Sequence, residues 1–156
     1  MINIRKARIE DAARLEELYA ELEEDAVFYQ PQHFLMSPKG ARSRQVEEIL
    51  NNENQAMLVA EDDGKVIGFV HLLILQTKAI SCLKPEKVVY LQDLIVTAEY
   101  RSRGIGSVIM DAVKEFAKET GADFLRTQVF PGNTDGMRYY NRNGFSETMK
   151  TIECPL

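Results

Sequence analysis

Residues 100–107 read YRSRGIGS, two glycines one residue apart with an arginine on each side of Ser102 and apolar runs before and after. Where a strand gives way to a helix, the N–H groups of the helix's first turn point outward unpaired, and together with the helix dipole they bind anions. Glycines at 104 and 106 remove the Cβ atoms that would hold a phosphate away from the backbone, and Arg101 and Arg103 add positive charge. The stretch therefore has the chemistry of a phosphate cradle. Spacing excludes two well-known forms of it. A P-loop needs a lysine after its last glycine, where Ser107 stands, and a dinucleotide fingerprint needs a third glycine, where Ile109 stands. What remains is R-x-x-G-x-G, as Arg101, Gly104 and Gly106, a pattern that by itself also fits a plain helix entry.

Other reactive side chains are sparse. Cys82 and Cys154 are single and far apart, and only His33 and His71 could add nitrogen ligands, so they read as ordinary thiols, with no metal site expected. His33 reads as a surface residue and His71, inside an apolar strand, as a satisfied core histidine. The formal charge of −5 argues against nucleic acid as a partner, because a surface that tracks phosphates makes a domain basic. It leaves room for a cationic small molecule or a lysine-bearing protein. With 156 residues, 45% hydrophobic and 28% charged, the chain fits one globular domain spanning 1–156. The early charges Arg5, Lys6 and Arg8 precede no signal-peptide core, and no apolar run approaches the ~20 residues of a membrane span. The expectation is a cytoplasmic protein with no membrane partner.

The elements that position the cradle follow from periodicity. Residues 2–8 read as a short strand, and Leu15, Leu18, Tyr19, Leu22 and Ala26 share one helical face. A loop is expected over 27–40, where two prolines and several aromatics fall, then a short helix around Val46, Ile49 and Leu50. Strands at 56–61 and 66–75 are joined by Asp63-Gly64, a tight hairpin turn, and a third strand covers 88–96. Ile105, Val108, Ile109, Ala112, Val113, Phe116 and Ala117 then mark a helix that Gly121 ends. A strand at 123–130, a short helix at 134–142 and a final strand at 146–153 complete the order βααβββαβαβ. This is an α/β (α+β) domain with a mixed, twisted central sheet and helices on both faces.

The segment DLIVTAEYRSRGIGSVIMDAVKEFA resembles the acetyl-coenzyme A motif of the GNAT family of N-acetyltransferases, and the element order resembles that family's over nearly the whole chain. NTDGMRYYNRNGF (133–145) is similar to the family's N-x-x-A-x-x-F-Y-x-x-x-G-F block: Asn133, Tyr140, Gly144 and Phe145 match, while Gly136 and Tyr139 replace the usual alanine and phenylalanine. The resemblance implies a splay between the strand carrying Leu94, Ile95 and Val96 and the next one, with the pantetheine arm in the gap. It implies that Arg101, Ser102, Arg103, Gly104, Ile105, Gly106 and Ser107 hold the pyrophosphate and that Asn133 contacts the pantetheine. Acetyl-coenzyme A would be the co-substrate.

Transfer to an amine needs a neutral nucleophile, a polarised thioester carbonyl and a proton for the leaving thiolate. Backbone N–H groups near Leu94 to Val96 could polarise the carbonyl, and Tyr140 matches the family position of the general acid. YLQDLIV (90–96) is similar to the strand of the polyamine acetyltransferases, but Gln92 stands where their candidate base is a glutamate. Asp93 could hold a cationic acceptor or relay its proton, or it only satisfies backbone groups at a sheet bulge. The acceptor site would lie between the loop 27–40 and the turn 77–87, with Tyr29, Gln30, Gln32 and His33 as candidates and Glu23, Glu24 and Asp25 to attract a cation. The implied activity is N-acetylation of a primary amine, on a small molecule or a protein, by direct attack in a ternary complex; the alternative is an acyl-coenzyme A sensor without turnover, which would have no need of Tyr140. The family's habit of dimerising through sheet edges and C-terminal strands implies a homodimer.

Overall fold

The computed structural model describes residues 1–156. Five strands, β1 (Ile2–Lys6), β2 (Gln55–Asp62), β3 (Lys65–Gln76), β4 (Lys87–Val96) and β5 (Phe124–Thr127), lie side by side in chain order in one sheet. The first four are antiparallel neighbours; β4 and β5 are parallel, joined by a crossover through a helix. Helices α1 (Ala12–Tyr29) and α2 (Ala41–Leu50) precede β2, α3 (Ile105–Glu119) makes the crossover, and α4 (Thr134–Arg142) follows β5.

Two cores sandwich the sheet. On one face Leu15, Leu18 and Tyr19 of α1 and Val46 and Ile49 of α2 pack on Met57, Val59, Phe69 and Ile95. On the other, Ile105, Ile109, Met110 and Val113 of α3 pack on Leu58, Val70, Leu72, Val89 and Leu91. Apolar residues on successive strand positions, rather than strict alternation, are what a sheet covered on both faces requires. The Asp63-Gly64 turn has both residues at positive φ (48° and 81°), as a two-residue hairpin demands. Arg5 ties β1 to the turn before α1 and to β2, through a two-pronged pair with Asp11 (2.8 and 3.0 Å) and a bond to Glu61 (2.7 Å).

Three expectations are corrected. α1 runs on to Tyr29, so the loop begins at Gln30; Tyr19 and Ala26 continue a buried stripe that outweighs the bulky residues at the helix end. β5 stops at Thr127, because its pairing with β4 ends there. The final strand at 146–153 is absent. Residues 146–156 form no strand, pair with none of the five and are exposed throughout.

Candidate active site

The decisive feature is where β4 and β5 part. Pairing runs from Val88–Phe124 to Leu91–Thr127 and stops, while β4 continues to Val96 paired only with β3. The expected splay is thus present. Its cause is local. His71 of β3 faces Asp93 and Leu72 faces Leu91, so Gln92 is an extra residue, a β-bulge. A bulge bends and twists its strand, which turns the second half of β4 away from β5. It also resets the alternation. Leu91 belongs to the α3-side core and Ile95 to the α1-side core, although without the bulge residues 91, 93 and 95 would share a face.

Beyond the strand end lies the cradle. Thr97 Oγ donates to Glu21 (2.8 Å) and the Ala98 N–H to the same carboxylate (3.2 Å), which pins the turn to α1. Gly104 is at φ 78° as the residue before α3, and Ser102 at φ 63° is one of two non-glycine residues in the left-handed region. Such backbone strain is kept where the geometry has a use. The first hydrogen bond into α3 is Val108 N–H to Gly104 O (3.3 Å), and the N–H groups of Ser102 through Ser107 find no backbone acceptor. A row of outward donors at a helix start, flanked by exposed Arg101 and Arg103, fits a pyrophosphate. Arg101 is oriented by donating from Nε to Val96 O (2.9 Å), and Arg103 stacks on Tyr100 at 5.0 Å. Ile105 is buried, so only its backbone can serve a ligand. Gly106 has a second reason besides the one the sequence suggests: a Cβ there would meet the Tyr139 ring at 3.1 Å, so the glycine also admits that tyrosine.

α4 closes the far side of the gap. Asn133 caps it, its Oδ1 accepting from the Gly136 N–H at 2.9 Å. A Cβ on residue 136 would lie 2.6 Å from Asn133 Nδ2, so the capping side chain sits close over this glycine. Tyr139 donates its hydroxyl to Gly106 O (2.7 Å) and so locks α4 to α3. Tyr140 is packed between Tyr139 and Phe145, with its phenol beside Thr127 at the mouth of the splay. Burial pushes that phenol up to about 12; the Thr127 hydroxyl pulls the other way and the charge of Asp93 adds to the rise. Thr127 itself donates to Leu91 O (2.9 Å) across the last rung before the strands part. No signal in the sequence singled out Thr127.

Asp93 is brought to this site and its carboxylate accepts no backbone N–H; its nearest charged-group contact is His71 Nδ1 at 3.5 Å. The reading of His71 as a satisfied core histidine is half right, because Nε2 bonds Gln55 Oε1 at 2.7 Å while the buried Nδ1 has no hydrogen-bond partner. Gln92, the bulged residue, is exposed.

The acceptor-side expectations fare unevenly. Tyr29 stacks on Phe130 (5.8 Å) and Phe34 meets the same ring edge-on (5.5 Å), so the loop after α1 does reach the segment after β5. His33 is spent on Glu153 of the C-terminal segment at 2.7 Å. Glu23 is not free to attract a cation: it accepts from the Ser37 N–H and hydroxyl (both 2.7 Å) and Arg42 Nε (2.5 Å). Burial works against its charge, but these donors outweigh it and hold the carboxyl below its usual range. Glu24 is exposed, and Asp25 lies 4.0 Å from Arg101, on the cradle side. The turn 77–87 sits at the closed end of β4, held by Glu86 to Arg126 (4.0 Å) and by the Lys87 N–H to Asp123 (2.9 Å). That is about 20 Å along the strand from Asp93, so it does not wall this site.

Comparison with known proteins agrees with this geometry. Residues 13–145 match the model of the acetyltransferase (GNAT) family. An uncharacterized N-acetyltransferase of Bacillus subtilis is 29% identical over 94% of this chain and 91% of its own. An aminoglycoside N(6')-acetyltransferase type 1 of Salmonella typhimurium is 29% identical over 74% of this chain and 79% of its own. Among solved structures, a Bacillus halodurans protein superposes with TM-score 0.93 over 99% of both chains at 24% identity. An aminoglycoside acetyltransferase in complex with a bisubstrate analog superposes with TM-score 0.78 over 100% of this chain and 98% of that one, at 24% identity.

Proposed function

The chain belongs to the acetyltransferase (GNAT) family and transfers the acetyl group of acetyl-coenzyme A to an amine; from that premise we propose the roles of its residues and the class of its acceptor. The observation that carries the assignment is the splay past Leu91–Thr127 opening onto partnerless N–H groups at 102–107, with the Tyr140 phenol at its mouth. A sensor without turnover has no use for a phenol held there.

Residues 101–107 bind the pyrophosphate, and the free edge of Leu94, Ile95 and Val96 pairs with the pantetheine as an added strand would. Asn133 keeps its Nδ2 for the same arm while its Oδ1 caps α4. Tyr140, protonated at every pH near neutrality, donates to the departing sulfur. Asp93 receives the acceptor's cationic nitrogen. The acceptor is a small-molecule amine: related chains act on aminoglycosides and on thialysine, as their names state, and Tyr29, Phe34 and Phe130 form an aromatic wall suited to a compact body. The protein is a homodimer in which the exposed segment 146–156 pairs along the free edge of β5 of a second copy.

The experiment is thiol release from acetyl-coenzyme A across polyamines, free amino acids, aminoglycosides and short peptides, with Tyr140→Phe alongside. Turnover with one small-molecule class, reduced about 10²- to 10⁴-fold in the variant while acetyl-coenzyme A still binds, is the expected result. Turnover on peptides alone would refute the acceptor class, and an unchanged rate in the variant would refute the general acid.

A further inference from the structure

A polar file crosses the α1-side face of the sheet: Gln55 on β2, His71 on β3 and Asp93 on β4. It is set in an apolar core beside Met57, Phe69 and Tyr19. His71 is 3% exposed. A buried imidazole normally satisfies both nitrogens, and one that does not requires an explanation. Here Nε2 is committed to Gln55 Oε1 at 2.7 Å, which requires the proton on Nε2. Nδ1 then presents a bare lone pair toward Asp93 Oδ2, 3.5 Å away. Two acceptors facing each other in a core form an unfavourable contact until a proton enters between them. With it, the imidazolium would donate to an acceptor at each end.

On the acetyltransferase reading above, we propose that His71 is the proton-holding partner of Asp93 and that Gln55 sets its tautomer, so that the pair Asp93–His71 removes the acceptor's proton in place of the glutamate that Gln92 replaces. The acceptor's N–H bond breaks and its electron pair stays on nitrogen. The proton binds the Asp93 carboxylate, passes to His71 Nδ1, and leaves to solvent after turnover. Asp93 touches the acceptor; His71 and Gln55 act through it. The bulge at Gln92 is what aims Asp93 at His71.

Other ionisable groups bear on the file. From α1 comes Tyr19, whose phenol burial pushes up, helped by the charge of Asp93, with Arg42 of α2 and Glu23 acting on the same ring. Tyr90 of β4 and Tyr140 of α4 both feel Asp93. β2 contributes Gln55 and Met57.

The test uses Gln55, which is outside the binding and reacting groups. Removing the acceptor for Nε2–H in Gln55→Leu disfavours the imidazolium, and Gln55→Glu favours it. The acid limb of kcat/KM should move to lower pH in the first and to higher pH in the second, each in step with the His71 titration followed by ¹⁵N NMR of the imidazoles. The chain has two histidines, so the spectrum is assignable from a His33→Gln variant. In the wild type the neutral form should be the Nε2–H tautomer, and His71→Asn should lower kcat/KM about 10²-fold and abolish that limb. A fold weakened by mutation cannot shift one limb in opposite directions. An Nδ1–H neutral tautomer, or a limb that stays fixed in both Gln55 variants, would overturn the proposal. The NMR readout needs no turnover, so a wild type inactive on every amine would count against the acetyltransferase reading while the tautomer still decides this one.

Discussion

Tyr139 and Tyr140 are neighbours with the same side chain, and the backbone gives them different work. The hydroxyl of Tyr139 is held by Gly106 O at 2.7 Å, whereas that of Tyr140 faces Thr127 at the splay. Phenylalanine at 139, the residue usual in the family motif, would remove one helix-to-helix hydrogen bond. The expected cost is about 1 kcal/mol of stability, read by urea unfolding, with the rate nearly unchanged. Tyr140→Phe should do the reverse, removing rate and leaving stability. The pH profile follows from the raised phenol. A group at about 12 keeps its proton through the working range, so kcat should show no descending limb attributable to Tyr140 below about pH 10. A limb near pH 8 that disappears in Tyr140→Phe would show that the phenol is not held up as the burial implies.

At the scale of elements, the bulge at Gln92 is the feature on which the site depends. It ends the β4–β5 ladder and turns the strand, so deleting Gln92 should let pairing continue past Leu91–Thr127 and close the gap. The variant is expected to fold, since Leu91 and Ile95 keep their faces, but to lose acetyl-coenzyme A binding in titration; full binding would show that the splay has another cause. This dependence also explains what the sequence could and could not say. The cradle was legible because its chemistry is local: Arg101, Gly104 and Gly106 sit within six residues, and the helix after them announces itself by periodicity. The position of Tyr140 was legible through a second local block. The Asp93–His71 contact was not, because it joins residues 22 apart in the chain through a register shift that no pattern of residue types specifies. The second use of Gly106 was hidden for a related reason, since its close neighbour Tyr139 lies 33 residues away. The final strand expected over 146–153 is absent, because residue types show at most that a segment can pair, not that a partner lies beside it in the same chain.

For the whole molecule, charge and burial set two pH boundaries. Tyr19, Tyr90, Tyr139 and Tyr140 are all raised, chiefly by burial, so the folded chain keeps protons that unfolded tyrosines release near pH 10. Stability should therefore be intact below about pH 10 and fall as pH rises through the folded values. Asp11, held down by Arg5, and Glu23 work at the other end: their contribution is present above the ordinary carboxylate range and lost as pH falls below about 4. Urea midpoints should be level between these limits, and a decline beginning at pH 8 would contradict the buried-tyrosine account. The last boundary is between molecules. Residues 146–156 contribute nothing to either core, and Met149, Ile152 and Leu156 are 89%, 91% and 121% exposed, while β5 offers an unpaired edge at the end of the sheet. A chain ending at Phe145 keeps every buried residue, so it should remain folded by circular dichroism; on the proposed pairing it should sediment as a monomer and residues 1–156 as a dimer. Because His33 is bonded to Glu153 beside the aromatic wall, the truncation should also raise KM for the amine while leaving acetyl-coenzyme A affinity unchanged. A truncated chain that still dimerises would move the interface to another surface, and a monomeric full-length chain would leave the exposed apolar side chains of this segment facing water on an edge-bearing sheet, the arrangement that soluble proteins cover or charge.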